Sequence, residues 1–143
     1  MLVKQISVFV ENTSGRLEKV TRILAEHNIN IRALSIADTT DFGILRLIVQ
    51  DSDRAEQVLK ENGITVKATD VIVIAISDKP GGLMSALHVL AENNISVEYM
   101  YTFVGGDADV VYDILRTENV QKAADLLIEN GIKVVPAKDV YEL

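Results

Sequence analysis

The 143-residue chain has no cysteine and no tryptophan, and it holds only two histidines and two prolines. Without cysteine there is no disulfide framework, thiol nucleophile or cysteine-ligated zinc, and two histidines leave little from which to build a metal centre or a cofactor anchor. Aromatic residues are few, four Tyr and three Phe, so neither a Trp-lined sugar site nor a stacking platform for bases is available. Positive charge is in deficit: 14 Lys and Arg against 21 Asp and Glu give a net charge of −7. That balance repels phosphate backbones and anionic membrane surfaces, which argues against nucleic acid and membranes as partners. The longest apolar run, Val71 to Ile76, is too short to span a bilayer, and the first residues lack a basic region followed by an apolar stretch. With cysteine absent as well, the chain reads as cytoplasmic. What is present is 48% hydrophobic and 24% charged residues, a composition that buries a core.

The chain repeats itself. At an offset of 66, Asn12 to Ile31 (NTSGRLEKVTRILAEHNINI) lies over Asp78 to Val97 (DKPGGLMSALHVLAENNISV) with seven of twenty positions identical. At an offset of 68, Ala55 to Val66 (AEQVLKENGITV) lies over Ala123 to Val134 (AADLLIENGIKV) with seven of twelve identical. Unrelated segments would share roughly one position in twelve. The change of offset means two extra residues in the second copy, which the comparison places just before its second helix, in the stretch 116–122. Two domains are expected, residues 1–69 and 70–143, joined through Ala68-Thr69-Asp70 as a rigid pair.

Each copy reads in the same order. Ile6 to Val10 and Ile72 to Ile76 are β-branched runs bounded by polar residues and predict strands. A glycine-containing turn leads into a helical period carrying Leu17, Val20, Ile23 and Leu24, or Leu83, Ala86, Leu87 and Leu90, on one face. Asn28 and Asn94 suit the left-handed helix terminus. Two strands follow, 31–38 and 42–49 or 97–104 and 109–115, turning at Thr39-Thr40-Asp41 or Gly105-Gly106-Asp107. A second helix ends in Glu-Asn-Gly-Ile, and a last strand runs over 64–69 or 132–137. The order β-α-β-β-α-β, twice, predicts an α+β fold of two ferredoxin-like units, each a four-stranded antiparallel sheet with both helices on one face. The uncovered sheet face must meet water, the sibling unit or another chain.

Such a fold hosts many functions, so function has to come from local sites. A copper-carrying domain would need paired cysteines, and an RNA-recognition domain would need aromatics on its central strands and a basic surface. Neither is present. The informative segment is the junction of first strand and first helix, Glu11-Asn12-Thr13-Ser14-Gly15-Arg16-Leu17 and Ser77-Asp78-Lys79-Pro80-Gly81-Gly82-Leu83. A turn and a glycine before a helix N-terminus aim free N–H groups and the positive dipole end at whatever lies above the loop, an environment suited to a small carboxylate. Asn12 or Asp78 would accept from an ammonium group. The bland reading is a plain capped turn in which Asn12, Thr13 or Asp78 satisfies helix N–H groups.

The strand, then Asp-Lys-Pro-Gly-Gly-Leu, then a helix ending Leu-Ala-Glu-Asn-Asn-Ile-Ser-Val, resembles an ACT domain, and the first copy is similar without the proline. The resemblance covers nearly the whole chain. It implies a regulatory protein without chemistry or cofactors of its own that binds an amino acid at interfaces between ACT units, as a homodimer. By the resemblance, contacts come from Asn12, Ser14, Gly15 and Arg16, or Asp78, Lys79, Gly81, Gly82 and Leu83. These would face the partner's Asn28, Asn30 and Ile31, or Asn94 and Ser96. The two sites are not equivalent in sequence. The alternative is a structural interaction module with no ligand.

Other features carry less. Tyr99, Tyr101 and Phe103 alternate, which places them on the open sheet face, either as a packing row between sheets or as a ligand or partner surface. Leu34 and Ile36 suit the helix-covered face. His27 and His88 have no neighbouring nucleophile or orienting carboxylate. Asp51-Ser52-Asp53 reads as a helix N-cap rather than a calcium loop. Arg46 and Asp113 fall within third strands, as edge or interface charges.

Overall fold

The computed structural model describes residues 2–11, 13–38, 42–103 and 108–143. Asn12 and the turn residues Thr39-Thr40-Asp41 and Gly105-Gly106-Asp107 lie outside the described residues. The elements run β1 (Val3–Glu11), α1 (Arg16–Glu26), β2 (Ile31–Asp38), β3 (Phe42–Val49), α2 (Ser52–Glu61), β4 (Val66–Ser77), α3 (Gly82–Glu92), β5 (Val97–Thr102), β6 (Val110–Thr117), α4 (Val120–Glu129), β7 (Lys133–Val134) and α5 (Ala137–Tyr141). They fall into two compact units, an N-terminal unit of Lys4–Thr69 and a C-terminal unit of Asp70–Leu143 with Met1–Val3.

In the N-terminal unit β3 pairs antiparallel with both β1 and β2, and the start of β4 flanks β1, where Phe9 N donates to Thr65 O at 3.1 Å. In the C-terminal unit β6 pairs antiparallel with β4 and β5, and β7 pairs with β4 on its other side. Each unit is thus a βαββαβ arrangement with its first strand in the middle of the sheet. The fold is α+β, two ferredoxin-like units.

Alternation along the strands and the helical period together build each core. Ile6, Val8, Leu45 and Leu47 of the sheet meet Val20, Ile23, Leu24, Val58 and Leu59 of α1 and α2. Ile72, Ile74 and Leu115 meet Ala86, Leu90, Ala123 and Leu127 of α3 and α4. Each buried aliphatic side chain of this size contributes about 1.5–3 kcal/mol relative to exposure. The second helices are both capped, α2 at Asp51 as its sequence predicts. Asp51 accepts from Arg54 N and Asn119 from Lys122 N, each at 3.1 Å. Asn28 and Asn94 both take φ 57 past their helices, and Gly63 and Gly131 hold φ 74 and 79.

Four expectations change. First, the two extra residues are not before α4. Ile6 pairs with Leu47 and Ile72 with Leu115, while Leu34 pairs with Leu47 and Met100 with Leu115. β3 therefore corresponds to β6 at an offset of 68, and the insertion falls in the connection between β5 and β6. Second, Ala68-Thr69-Asp70 is not a linker between two strands, because β4 runs unbroken through it. No glycine or proline lies between Gly63 and Pro80 to interrupt it. Third, the last strand stops after Val134, and Pro136, at φ −61, opens the short helix α5, since proline has no N–H for the ladder and a φ suited to a helix start. Fourth, Asp113 is no edge charge. It alternates with Val111 and Leu115 on β6, opposite Ile74, and so points to the helix-covered core, where it is 1% exposed.

The face of the C-terminal sheet turned away from its own helices carries the aromatic row. Tyr101 lies opposite Ile114, and the rings of Phe103 and Tyr112 meet edge to face at 6.3 Å. Leu34 and Ile36 pair with the core residues Leu47 and Leu45, which places them on the helix side of β2, yet they are 45% and 52% exposed because β2 is an edge strand.

Candidate functional site

The β-to-α loops are built alike. After β1 and β4 a tight turn forms, with Thr13 N donating to Glu11 O at 2.7 Å and Lys79 N to Ser77 O at 3.0 Å. Each turn closes on a glycine N-cap in the left-handed region, Gly15 at φ 86 and Gly81 at φ 88, which only glycine adopts without cost. Among the described residues no side chain caps either helix; the first helical amides, Arg16 N and Gly82 N, donate to the loop carbonyls of Thr13 and Lys79 at 3.4 and 3.0 Å, and the amides that follow have no side-chain cap. Gly82 is required for a different reason. A Cβ there would stand 2.1 Å from the Ser77 carbonyl oxygen, so α3 starts directly against the end of β4. Asp78 N donates to Asp109 O at 2.9 Å, tying the loop to the start of β6.

In the C-terminal unit this loop borders a groove of 460 Å³ lined by Ser77, Lys79, Pro80, Gly81, Gly82, Met84, Ser85 and the turn Gly131 to Lys133. Lys79, Lys133 and the positive end of α3 surround it without an acidic side chain in the lining, a field that favours an anion such as a carboxylate. In the N-terminal unit the counterpart of this groove shrinks to 120 Å³, with Glu11 and Arg16 in its lining, and these two form an ion pair at 3.3 Å. A second N-terminal groove of 310 Å³ lies between the loop and the edge strand, lined by Val10, Glu11, Thr13, Arg16, Leu17, Ile36, Gly43 and Leu45. Its floor is apolar.

The residues singled out from sequence are partly brought together. Lys79, Gly81 and Gly82 share one groove, and Arg16 lines both N-terminal ones. Asp78, Ser14 and Gly15 are exposed on the loops, while Leu83 and Ile31 pack against their own cores. Asn94 and Ser96 line a separate groove of 630 Å³ with Glu118 to Lys122, and Asn28 and Asn30 are exposed. Within one unit, loop and strand-start segment therefore do not meet in a common groove. Sequence reasoning missed Met84, Ser85 and Lys133, which only the tertiary fold brings to the loop. It also missed Leu17, Ile36 and Leu45 as a groove, although the period of two on β2 marked Ile36.

Asp113 is the most unusual polar group. Its Oδ1 is buried with no hydrogen-bond partner, and burial raises its carboxyl pKa above the ordinary carboxylate value. The histidines serve locally: His27 Nδ1 donates to Ile23 O at 2.8 Å, and His88 Nε2 lies 3.4 Å from Glu92 Oε1. Among the described residues no group of three or more His, Asp or Glu is placed to hold a metal, and no helix is long and apolar enough to cross a membrane.

Comparison with known proteins fits this geometry. A protein from Bacteroides thetaiotaomicron, BT0572, is 42% identical in a crystal structure that superposes with a TM-score of 0.94 over 100% of this chain and 98% of that one. The ligand-free regulatory subunit of aspartate kinase from Thermus thermophilus shares the fold at 16% identity and a TM-score of 0.65, covering 91% of this chain and 94% of that one. A C-terminal regulatory domain of aspartate kinase from Porphyromonas gingivalis does so at 16% identity and a TM-score of 0.52, covering 90% and 93%. No curated protein matches the chain. A family profile described as an ACT domain pair matches residues 1–143, and the chain belongs to that family.

Proposed function

We propose that this ACT pair is a non-catalytic regulatory protein that binds a small amino acid and changes its own association, or that of a partner, in doing so. Its two ACT domains are residues 1–69 and 70–143, and its place is the cytoplasm. The observation that carries the reading is the C-terminal loop: an uncapped helix start at Gly81 and Gly82, flanked by Lys79 and Lys133, over a groove of 460 Å³. That groove suits the carboxylate of a small ligand. Solved structures of this fold include regulatory subunits of aspartate kinase, a likeness of fold that agrees with a regulatory role.

The loop and the Asn94 and Ser96 segment line different grooves of one unit, so a ligand touching both lies between ACT units. Among the described residues β2 and β5 are unpaired on one side, and β2 presents the exposed Leu34 and Ile36. An edge of this kind is a template for pairing with a second copy. The same apolar edge favours the alternative, an interaction module without ligand. Thermal unfolding in the presence of each of the twenty amino acids separates the two. A ligand of the native state at a hundred times its Kd adds about 2.7 kcal/mol to stability. At least one amino acid is expected to raise the melting temperature by several degrees at millimolar concentration, and twenty flat profiles would leave only the interaction module.

A further inference from the structure

The two units are copies, yet one core position has changed character. Leu45 and Asp113 occupy the same place: each lies opposite the first strand of its unit, Val8 or Ile74, and opposite the second, Ile36 or Thr102. Leu45 is 2% exposed and Asp113 1%. In the N-terminal unit Leu45 and Ile36 line the apolar groove beside the start of α1. By strand register the corresponding C-terminal residues are Asp113 and Thr102. A carboxylate and a hydroxyl thus stand where the other copy has two aliphatic side chains.

Among the described residues no cation pairs with Asp113. The helix-covered face around it is filled by Ile72, Ile74, Ile76, Leu90, Leu115 and Leu127, and its Oδ1 has no hydrogen-bond partner. A buried carboxyl oxygen without a partner is costly and is kept where something other than stability is served. One carboxylate and one hydroxyl are too few to bind calcium or magnesium, which take six or more oxygen ligands. An ammonium group, with three donors and one positive charge, needs no more than these two acceptors and the ligand's own surroundings.

We propose that Asp113 is the ammonium-binding residue of an amino-acid site in the C-terminal unit, with Thr102 as its second acceptor and the start of α3 receiving the ligand's carboxylate. Ile74, opposite Asp113, lies three residues before Ser77, against which α3 begins. That separation is about 10 Å of strand, shortened by the side chain of Asp113. A small zwitterion with a hydrogen bond of about 2.8 Å at each end covers it. The N-terminal groove, floored by Leu45, instead takes an apolar group. The two copies therefore differ at this position, a carboxyl group in one and an aliphatic side chain in the other. Raising of the Asp113 pKa by burial agrees, since an arriving ammonium group restores ionisation that the empty site disfavours.

This inference rests on the amino-acid-binding reading, and calorimetric titration of the full chain with each of the twenty amino acids tests the two separately. Each amino acid that binds is then titrated into Asp113→Asn and Asp113→Leu, and its N-acetyl form into the wild-type chain. Binding weakened at least tenfold in both variants, and by acetylation, is the expected result. Leucine fills the equivalent place in the other unit, so that variant is expected to fold. Equal affinity in wild type and both variants would overturn the role of Asp113 while leaving amino-acid binding intact. No heat with any amino acid would remove both.

Discussion

Replacing Asp113 with leucine tests whether the C-terminal core carries an unsatisfied carboxyl group at a cost in stability. Removing a buried polar group without a partner returns about 1–3 kcal/mol. Burying a leucine side chain adds about 1.5–3 kcal/mol, and the extra volume in a packed core takes back about 1–3 kcal/mol. The net gain for Asp113→Leu is therefore about 2 kcal/mol, or about 4–8 °C in melting temperature for a chain of this size. The pH dependence sharpens the test. Burial raises the carboxyl pKa in the folded state, so above the unfolded aspartate value of about 3.9 the unfolded chain gives up a proton that the native chain retains. Wild-type stability then falls as pH rises from about 4 until the native carboxyl ionises as well, and it stays lowered above that point. The leucine variant lacks this loss. Thermal unfolding of both proteins between pH 4 and pH 8 should show the gap widening with pH. A variant no more stable than wild type at pH 7, or a gap that narrows with rising pH, would refute the placement of Asp113 in the core.

Two further perturbations address the loop and the assembly. Gly82→Ala sets a Cβ 2.1 Å from the Ser77 carbonyl oxygen and is expected to cost about 1–3 kcal/mol in chemical denaturation. At Gly81 a Cβ meets nothing within 4 Å but the residue holds φ 88, so Gly81→Ala should cost about 1–2 kcal/mol from backbone strain alone. Gly82→Ala at no measurable cost would show that α3 does not abut β4. Sedimentation velocity at micromolar concentration is expected to find a dimer, and Leu34→Lys with Ile36→Lys to shift it toward monomer, since both side chains are exposed on an edge strand. A wild-type monomer throughout that range would contradict the dimer.

Much of the fold was legible because the repeat states it twice. Strand alternation and helical period recover the bounds of β2 and β3, the Asp51 cap, and the buried face of α1 at Val20, Ile23 and Leu24, though not at Leu17, which is 42% exposed. Identity at matched offsets could not locate the two-residue insertion, because β3 and β6 share few residue types and only cross-strand register fixes their correspondence. That same ambiguity hid Asp113: at an offset of 66 it falls over Leu47, and only the observed pairing sets it over Leu45 at the groove. A period of two also shows which face a residue takes, but not that the face is covered. Asp113 therefore reads as an edge charge until α3 and α4 are seen to cover it. The loop glycines were legible as a turn. Lys133, more than fifty residues from Lys79, was not, because its approach depends on the pairing of β7 with β4.

Calorimetric titration of the purified chain with the twenty amino acids addresses the central claim, amino-acid binding by this ACT pair, most directly. Saturable heat with at least one amino acid at submillimolar to millimolar Kd, weakened at least tenfold by Asp113→Asn, is the predicted result. Absence of heat with all twenty would contradict the account.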